Sequence, residues 1–290
     1  MIRKHLLAAA GLALAWTCAA SAAEIAVAPA NSQPESLAVA PNGDIIIGSS
    51  TAPKIYRAKA GAGPAQVWVD LTGEVTNGTV LGIYVDAPSK TVWACLIDNG
   101  LPGPGRKSHL RSFDLDSGKG KSSWALPDTA NLCNDMTVGP DKSVYVADTF
   151  NGRIYKVAPD GKTGAVVIED RALYGVDGIT FMGGQLYVNT VFSGNLYRVA
   201  LDAAGKGALT EIGMNRLVRN PDGMRAVGNR LYVAENASGT IGYFTVKGDT
   251  ATVTTVKTGY KTPTAVDPHN GMLWIAERGA DKVVSIPQPK

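Results

Sequence analysis

The chain has only three cysteines and three histidines in 290 residues, and one of each, Cys18 and His5, falls in its opening segment. The remaining Cys95, Cys133, His109 and His269 do not make the Cys/His set that a zinc centre needs. Nor do they suggest a Ser-His-Asp or Cys-His arrangement, since His109 opens an apolar strand and His269 sits in the turn Pro268-His269-Asn270-Gly271. Charge is sparse at 18%, and 28 basic residues against 25 acidic ones leave a net charge of only +3, too small an excess to point to nucleic acid. Helical periodicity is missing throughout, and the longest apolar run, residues 6–16, is too short to span a membrane. Hydrophobic residues nevertheless make up 45% of the chain, which excludes general disorder.

The N-terminus carries Arg3 and Lys4, then the apolar run, then Ala19-Ala20-Ser21-Ala22-Ala23. This order reads as a cleavable export signal over residues 1–23, with a mature domain at 24–290 destined for the periplasm or the exterior. A lipid anchor on Cys18 is disfavoured, because Ala15 and Thr17 fit a lipobox poorly.

What the chain does have is a repeat. Four segments set an oxygen-bearing side chain just ahead of an apolar strand: Pro34-Glu35-Ser36-Leu37, Cys133-Asn134-Asp135-Met136, Val176-Asp177-Gly178-Ile179 and Pro221-Asp222-Gly223-Met224. Each is followed by a turn and a second strand such as Ile45-Ile46-Ile47 or Val144-Tyr145-Val146. Leu81-Gly82-Ile83 with Val92-Trp93-Ala94, and Pro263-Thr264-Ala265 with Leu273-Trp274-Ile275, complete a set of six. Equivalent positions at 35, 81, 134, 177, 222 and about 263 are separated by 46, 53, 43, 45 and about 41 residues, the period of a four-stranded propeller blade. The expectation is one all-β domain, a six-bladed β-propeller of four-stranded blades.

Blade six shows three strands before the chain stops at Pro287-Gln288-Pro289-Lys290, whereas Glu24-Ile25-Ala26-Val27 precedes blade one with no other duty. Pairing that N-terminal segment onto blade six would close the ring and remove an exposed sheet edge.

In a propeller the first strand of each blade lines the central channel, so residues at its start converge on one mouth. The expected ring is Glu35, Asn134, Asp177 and Asp222, with Leu81 from blade two and Pro263 or Thr262 from blade six. Three carboxylates in a narrow channel repel one another unless a cation compensates them. Carboxylates and an amide are hard oxygen donors, which favours Ca²⁺, with Mg²⁺ or Mn²⁺ as substitutes. Asp and Asn also make ordinary turns. That explains one such site readily and four at one repeat phase poorly.

Over essentially all of residues 24–290 these repeats resemble the senescence-marker-protein, gluconolactonase and luciferin-regenerating-enzyme family of six-bladed propellers. The resemblance rests on Pro34-Glu35, Asn134-Asp135, Asp177 and, most specifically, Pro221-Asp222-Gly223-Met224. It implies that Glu35, Asp177, Asp222 and Asn134 hold a metal, that Asn134 and Asp135 lie on the substrate side, and that Asp222 is the general base in hydrolysis of a lactone or related ester. Two departures are visible: Asp177 stands where the family usually has Asn, and Leu132 where sugar-lactonase members carry an Arg.

Second-strand ends share the mouth, which predicts a polar rim of Asp98, Asp148, Asn189, Glu235, Asn236, Glu277 and Arg278 and a small oxygen-rich substrate for a monomeric protein. The Gly/Pro-rich loop at 98–107 reads equally as a lid, with Arg106 or Lys107 offered to an anionic substrate, or as plain surface. Cys95 and Cys133 are both expected near the mouth, either paired or as separate thiols. Two rival functions remain: a phosphotriesterase resembling diisopropyl-fluorophosphatase, with a similar calcium ring, and a non-catalytic binding propeller, suggested by the likeness of residues 144–154 to an NHL repeat.

Overall fold

The structure is a computed structural model that describes residues 22–60, 62–98 and 105–290. Most of the expected export signal, with Cys18, and residues 99–104 of the long loop therefore lie outside the described residues. Among the described residues there is no α-helix, only single turns of 3-10 helix at Arg171–Leu173 and Arg278–Ala280, and no helix long and apolar enough to cross a membrane.

The strands fall into six antiparallel meanders of four. Their first strands are Pro34–Val39, Thr79–Asp86, Cys133–Val138, Val176–Met182, Pro221–Val227 and Pro263–His269. Each packs against the first strand of the next meander, and the sixth packs against the first, so the meanders stand around a common axis as the blades of a β-propeller. Apolar β-branched and aromatic residues supply the strands, as in the second strands Ile45–Ser49 and Val144–Asp148, both buried along their whole length.

The core is correspondingly divided. Six buried clusters lie one between each pair of adjacent blades. Leu81, Trp93 and Leu110 of blade two, for example, meet Met136, Val146 and Tyr155 of blade three. The clusters carry most of the burial energy, at about 25 cal/mol per Å² of apolar surface removed from water.

Ring closure follows the sequence expectation. Glu24–Ala26 is the outer strand of blade six, antiparallel to Lys282–Pro287 with Glu24 opposite Val284 and Ala26 opposite Lys282. Lys282 Nζ stands 2.8 Å from Glu24 Oε2. The chain then crosses to blade one, where Ala28 N donates to Ala65 O at 3.2 Å, and both oxygens of Asp281 accept backbone N–H groups, from Asn31 and Gln33 at 2.8 Å each. Blades six and one are thereby stitched by a segment belonging to neither alone.

Cys95 and Cys133 form a disulfide between blades two and three, with Cα atoms 5.3 Å apart and both residues fully buried. It closes a loop of 38 residues and stabilises the fold by roughly 3–4 kcal/mol in the chain-entropy account. The same bond fixes the residue immediately before Asn134.

Candidate functional site

Every first strand breaks register at the same place. The antiparallel pairing of first and second strands slips between Pro34 and Leu37, Val80 and Ile83, Cys133 and Met136, Val176 and Ile179, Pro221 and Met224, and Pro263 and Ala265. Such bulges re-aim side chains and bend the strand. The bulged residues are Glu35-Ser36, Leu81-Gly82, Asn134-Asp135, Asp177-Gly178, Asp222-Gly223 and Thr264. Blade six thus contributes Thr264 rather than Pro263 or Thr262, because the bulge falls one residue later than the repeat spacing suggests. Thr264 is buried, and its hydroxyl donates to the Pro34 carbonyl at 3.3 Å.

In blades two, four and five the second bulge position is glycine, held small by close approach of the next blade. A Cβ on Gly82 would stand 2.3 Å from the Asn134 carbonyl oxygen, and one on Gly178 would stand 2.5 Å from that of Asp222. In blade one the same position is Ser36, whose hydroxyl accepts the Ile83 N–H of blade two at 3.1 Å. Asn189 adds a further link: its side chain accepts the Gly178 N–H at 3.1 Å and donates to the Asp222 carbonyl at 2.9 Å.

Glu35, Asn134, Asp177 and Asp222 are all buried. Burial is the chief reason the Glu35 carboxyl lies well above its ordinary range, with repulsion from Asp222 next, and Arg278 opposing both. Asp177 is also pushed well up, by burial and then by Asp222 and Glu35, while a hydrogen bond from Asn134 pulls the other way. Asp222 is pushed up to about 7 by burial, against the pull of Arg278 and hydrogen bonds from the Asn236 side chain at 3.2 Å and the Gly223 N–H at 3.0 Å. The carboxyls therefore feel one another across the mouth, with Arg278 as the cationic counterweight to Glu35 and Asp222. Arg278 and Asn236 were legible in the sequence only as members of a polar rim.

The donor chemistry suits a hard divalent cation: buried oxygens from blades one, three, four and five, with excess negative charge. Among the described residues no three His, Cys, Asp or Glu side chains stand in an arrangement that could hold a metal ion by themselves. Calcium tolerates irregular, high coordination, so carboxyls from separate blades can supply its ligands together with the Asn134 amide and water.

Two expected substrate contacts are engaged by partners within the protein, although Asp135 stays close enough to raise the pKa of Glu35, Asp177 and Asp222. Asp135 forms a buried ion pair with Arg225, whose guanidinium donates to its two oxygens at 2.7 and 2.9 Å, and the Met136 N–H donates to it at 2.8 Å. Arg225 donates further to the carbonyls of Met224 and Ile83, so this pair cross-links blades two, three and five inside the channel. Arg106 is buried beside the described edge of the long loop. It donates to the backbone carbonyls of Asn131 and Ala130 at 2.7 Å each, and its guanidinium lies 4.5 Å from the Phe150 ring centroid. A side chain so engaged is a loop clamp and is not offered to an anion.

The rim is also less polar than expected. Asp148, Asn189, Glu235 and Glu277 are buried. Asp148 accepts the Leu132 N–H at 2.8 Å, Glu235 pairs with Arg216 at 2.6 Å, and Glu277 accepts the Lys261 N–H at 2.7 Å. These polar groups hold loops in place, and apolar rings occupy part of the exposed rim. His269 lies at the opposite end of the channel, beside a cavity of about 240 Å³ lined also by Tyr84, Arg225 and Asp267.

No protein-family model matches this sequence, and no curated protein is similar to it in sequence. Solved structures are similar in fold. Virginiamycin B lyase from Staphylococcus aureus superposes with a TM-score of 0.65 at 15% identity, over 93% of this chain and 99% of that one. A candidate gluconolactonase gives 0.64 at 17% identity over 93% of both chains. The PQQ-bound aldose sugar dehydrogenase from Streptomyces coelicolor gives 0.62 at 17% identity, over 93% of this chain and 99% of that one. At such identities the likeness speaks for the β-propeller fold, and these differing activities belong to those proteins.

Proposed function

We propose that this chain is a divalent-cation-dependent hydrolase of lactones or related esters, working at the channel mouth of an exported protein of the gluconolactonase type. The observation that carries the reading is the set of buried carboxyls delivered to one mouth by bulges at one repeat phase, one of them poised near neutrality. Similarity to a candidate gluconolactonase adds support from fold alone.

Glu35, Asp177, Asp222 and Asn134 would hold the cation, and calcium fits their oxygens best. When bound, it supplies Lewis-acid polarisation of the ester carbonyl. The chain's own residues do the rest. Asp222 takes a proton from the attacking water at a carboxylate oxygen, a general-base role open to a buried carboxylate. Asn236 and the Gly223 N–H fix the orientation of that carboxylate, and Arg278 favours its ionised form. The water oxygen bonds to the carbonyl carbon, the ring C–O bond breaks, and the proton ends on the released alkoxide oxygen.

The test is a panel of lactones, carboxylic esters and phosphotriesters, each with calcium and after chelation. Calcium-dependent turnover of a lactone or ester is expected, falling about 10²-fold or more in Asp222→Asn, which keeps an oxygen donor and removes the base. A folded, metal-loaded Asp222→Asn protein that works at the parent rate would remove Asp222 from the mechanism. Turnover of phosphotriesters alone would favour the phosphotriesterase alternative, and an inert calcium-loaded parent the binding propeller.

A further inference from the structure

Large apolar side chains are seldom left exposed in clusters without a use. Among the described residues Tyr174 and Phe192 are each 53% exposed and Leu217 is 64% exposed. All three lie on the mouth side. Phe192 follows the second strand of blade four, Tyr174 precedes that blade's first strand, and Leu217 precedes the first strand of blade five. The rings of Tyr174 and Phe192 are 5.3 Å apart, and Phe150, which follows the second strand of blade three, stacks on Phe192 at 6.1 Å and meets Tyr174 at 6.4 Å.

This group is built into the site. A Cβ on Gly175 would strike the Phe192 ring at 2.7 Å, so Phe192 lies directly over the residue two places before Asp177. Gly175 N donates to Thr149 O, Val191 N donates to Gly175 O, and the Thr149 hydroxyl donates to Val176 O at 2.8 Å, so the shelf and the Asp177 bulge share one hydrogen-bonded backbone frame. Arg106 lies over the Phe150 ring, and a cavity of about 420 Å³ opens beside Phe150 and Tyr174, lined also by Asn151, Glu169, Asp170 and Arg171. The aromatic wall thus continues from the carboxylate ring outward over blades three and four, held at its base and open above.

We propose that Tyr174 and Phe192, backed by Phe150, form a shelf that takes a flat apolar group of the substrate, so that the substrate is a lactone or ester carrying an aryl or similar apolar substituent rather than a bare hydroxylated sugar lactone. The proposal rests on the hydrolytic reading above for the identity of the reacting group, but the shelf can be tested without turnover. Offset stacking on two adjacent rings favours such a substituent, and a polyol gains little from them.

The experiment measures binding of δ-valerolactam and of its phenyl-substituted form, neither of which the ester chemistry would consume, to the calcium-equilibrated protein by calorimetry. In parallel, kcat/KM is measured for the corresponding lactones. The parent should prefer the phenyl compound by about tenfold or more in both assays. In Tyr174→Ala/Phe192→Ala the preference should fall to within about twofold, while Phe192→Tyr, which keeps a ring, retains most of it. If the double variant does not fold, Tyr174→Ala alone carries the comparison. Equal binding of the two lactams to the parent, or a preference that persists in the folded variant, overturns the shelf. A lactam preference that is present and lost in the variant, alongside no hydrolysis of either lactone, supports the shelf and sinks the hydrolytic reading instead.

Discussion

Glu35, Asp177 and Asp222 share the property that burial and mutual repulsion hold their carboxyls above the ordinary range near 4. In the metal-free protein the folded state therefore keeps protons that the unfolded chain releases. A carboxyl raised in this way stabilises fully below its unfolded pKa, and that stability is lost as pH rises through the folded pKa. The Tm of chelator-treated protein should fall as pH is raised from about 4 through about 7, the latter being the level of Asp222. Asp222→Asn should flatten the decline, and calcium should offset it most above neutrality. A Tm that stays level over this range in the parent would show that these carboxyls are not buried as described. At this scale the ring was readable because one residue type recurs at one repeat phase. The pairing of Asp135 with Arg225 is not legible in the sequence, because the partner lies 90 residues away on another blade and no local pattern signals a long-range ion pair. Phe150 and Phe192 did leave a signal, each standing two residues past the end of a second-strand repeat, but apolar side chains in loops are common enough that the coincidence carried no weight.

Among the elements, the decisive one is the short strand Glu24–Ala26. Its need could be inferred from blade six ending one strand short, because an unpaired sheet edge is costly to leave open. The bulges were not inferable, since a one-residue register slip depends on how two strands meet in space, and this is why Thr264 replaced Pro263 and Thr262 in the ring. Removing residues 1–28, compared with removing residues 1–23 alone, takes away the pairing with Lys282–Pro287, the Glu24–Lys282 ion pair and the buried Val27. The expected cost is about 3 kcal/mol or more, from one buried Val and several backbone hydrogen bonds. Thermal unfolding should register it as a Tm lower by roughly 6 °C or more. An unchanged Tm would mean that the segment is a tail and that blade six is stable with three strands.

On the scale of the whole molecule, six blades divide the work of stability and chemistry. The interblade clusters, the disulfide and the closing strand hold the ring, while bulges on the inner strands carry polar groups that a hydrophobic core would otherwise exclude. Placing three carboxyls at one channel mouth opposes stability in the absence of a cation, and a ligand that binds only the folded ring would recover it. The most direct measurement is calorimetric titration of calcium into the chelator-stripped protein, repeated on Glu35→Ala and Asp177→Ala. The expected result is about one calcium per parent chain, with Tm raised as for a ligand contributing about 2.7 kcal/mol at a hundredfold excess over Kd, and neither effect in the two variants. A parent protein that is folded, stripped and indifferent to calcium, magnesium and manganese would contradict the account at its centre.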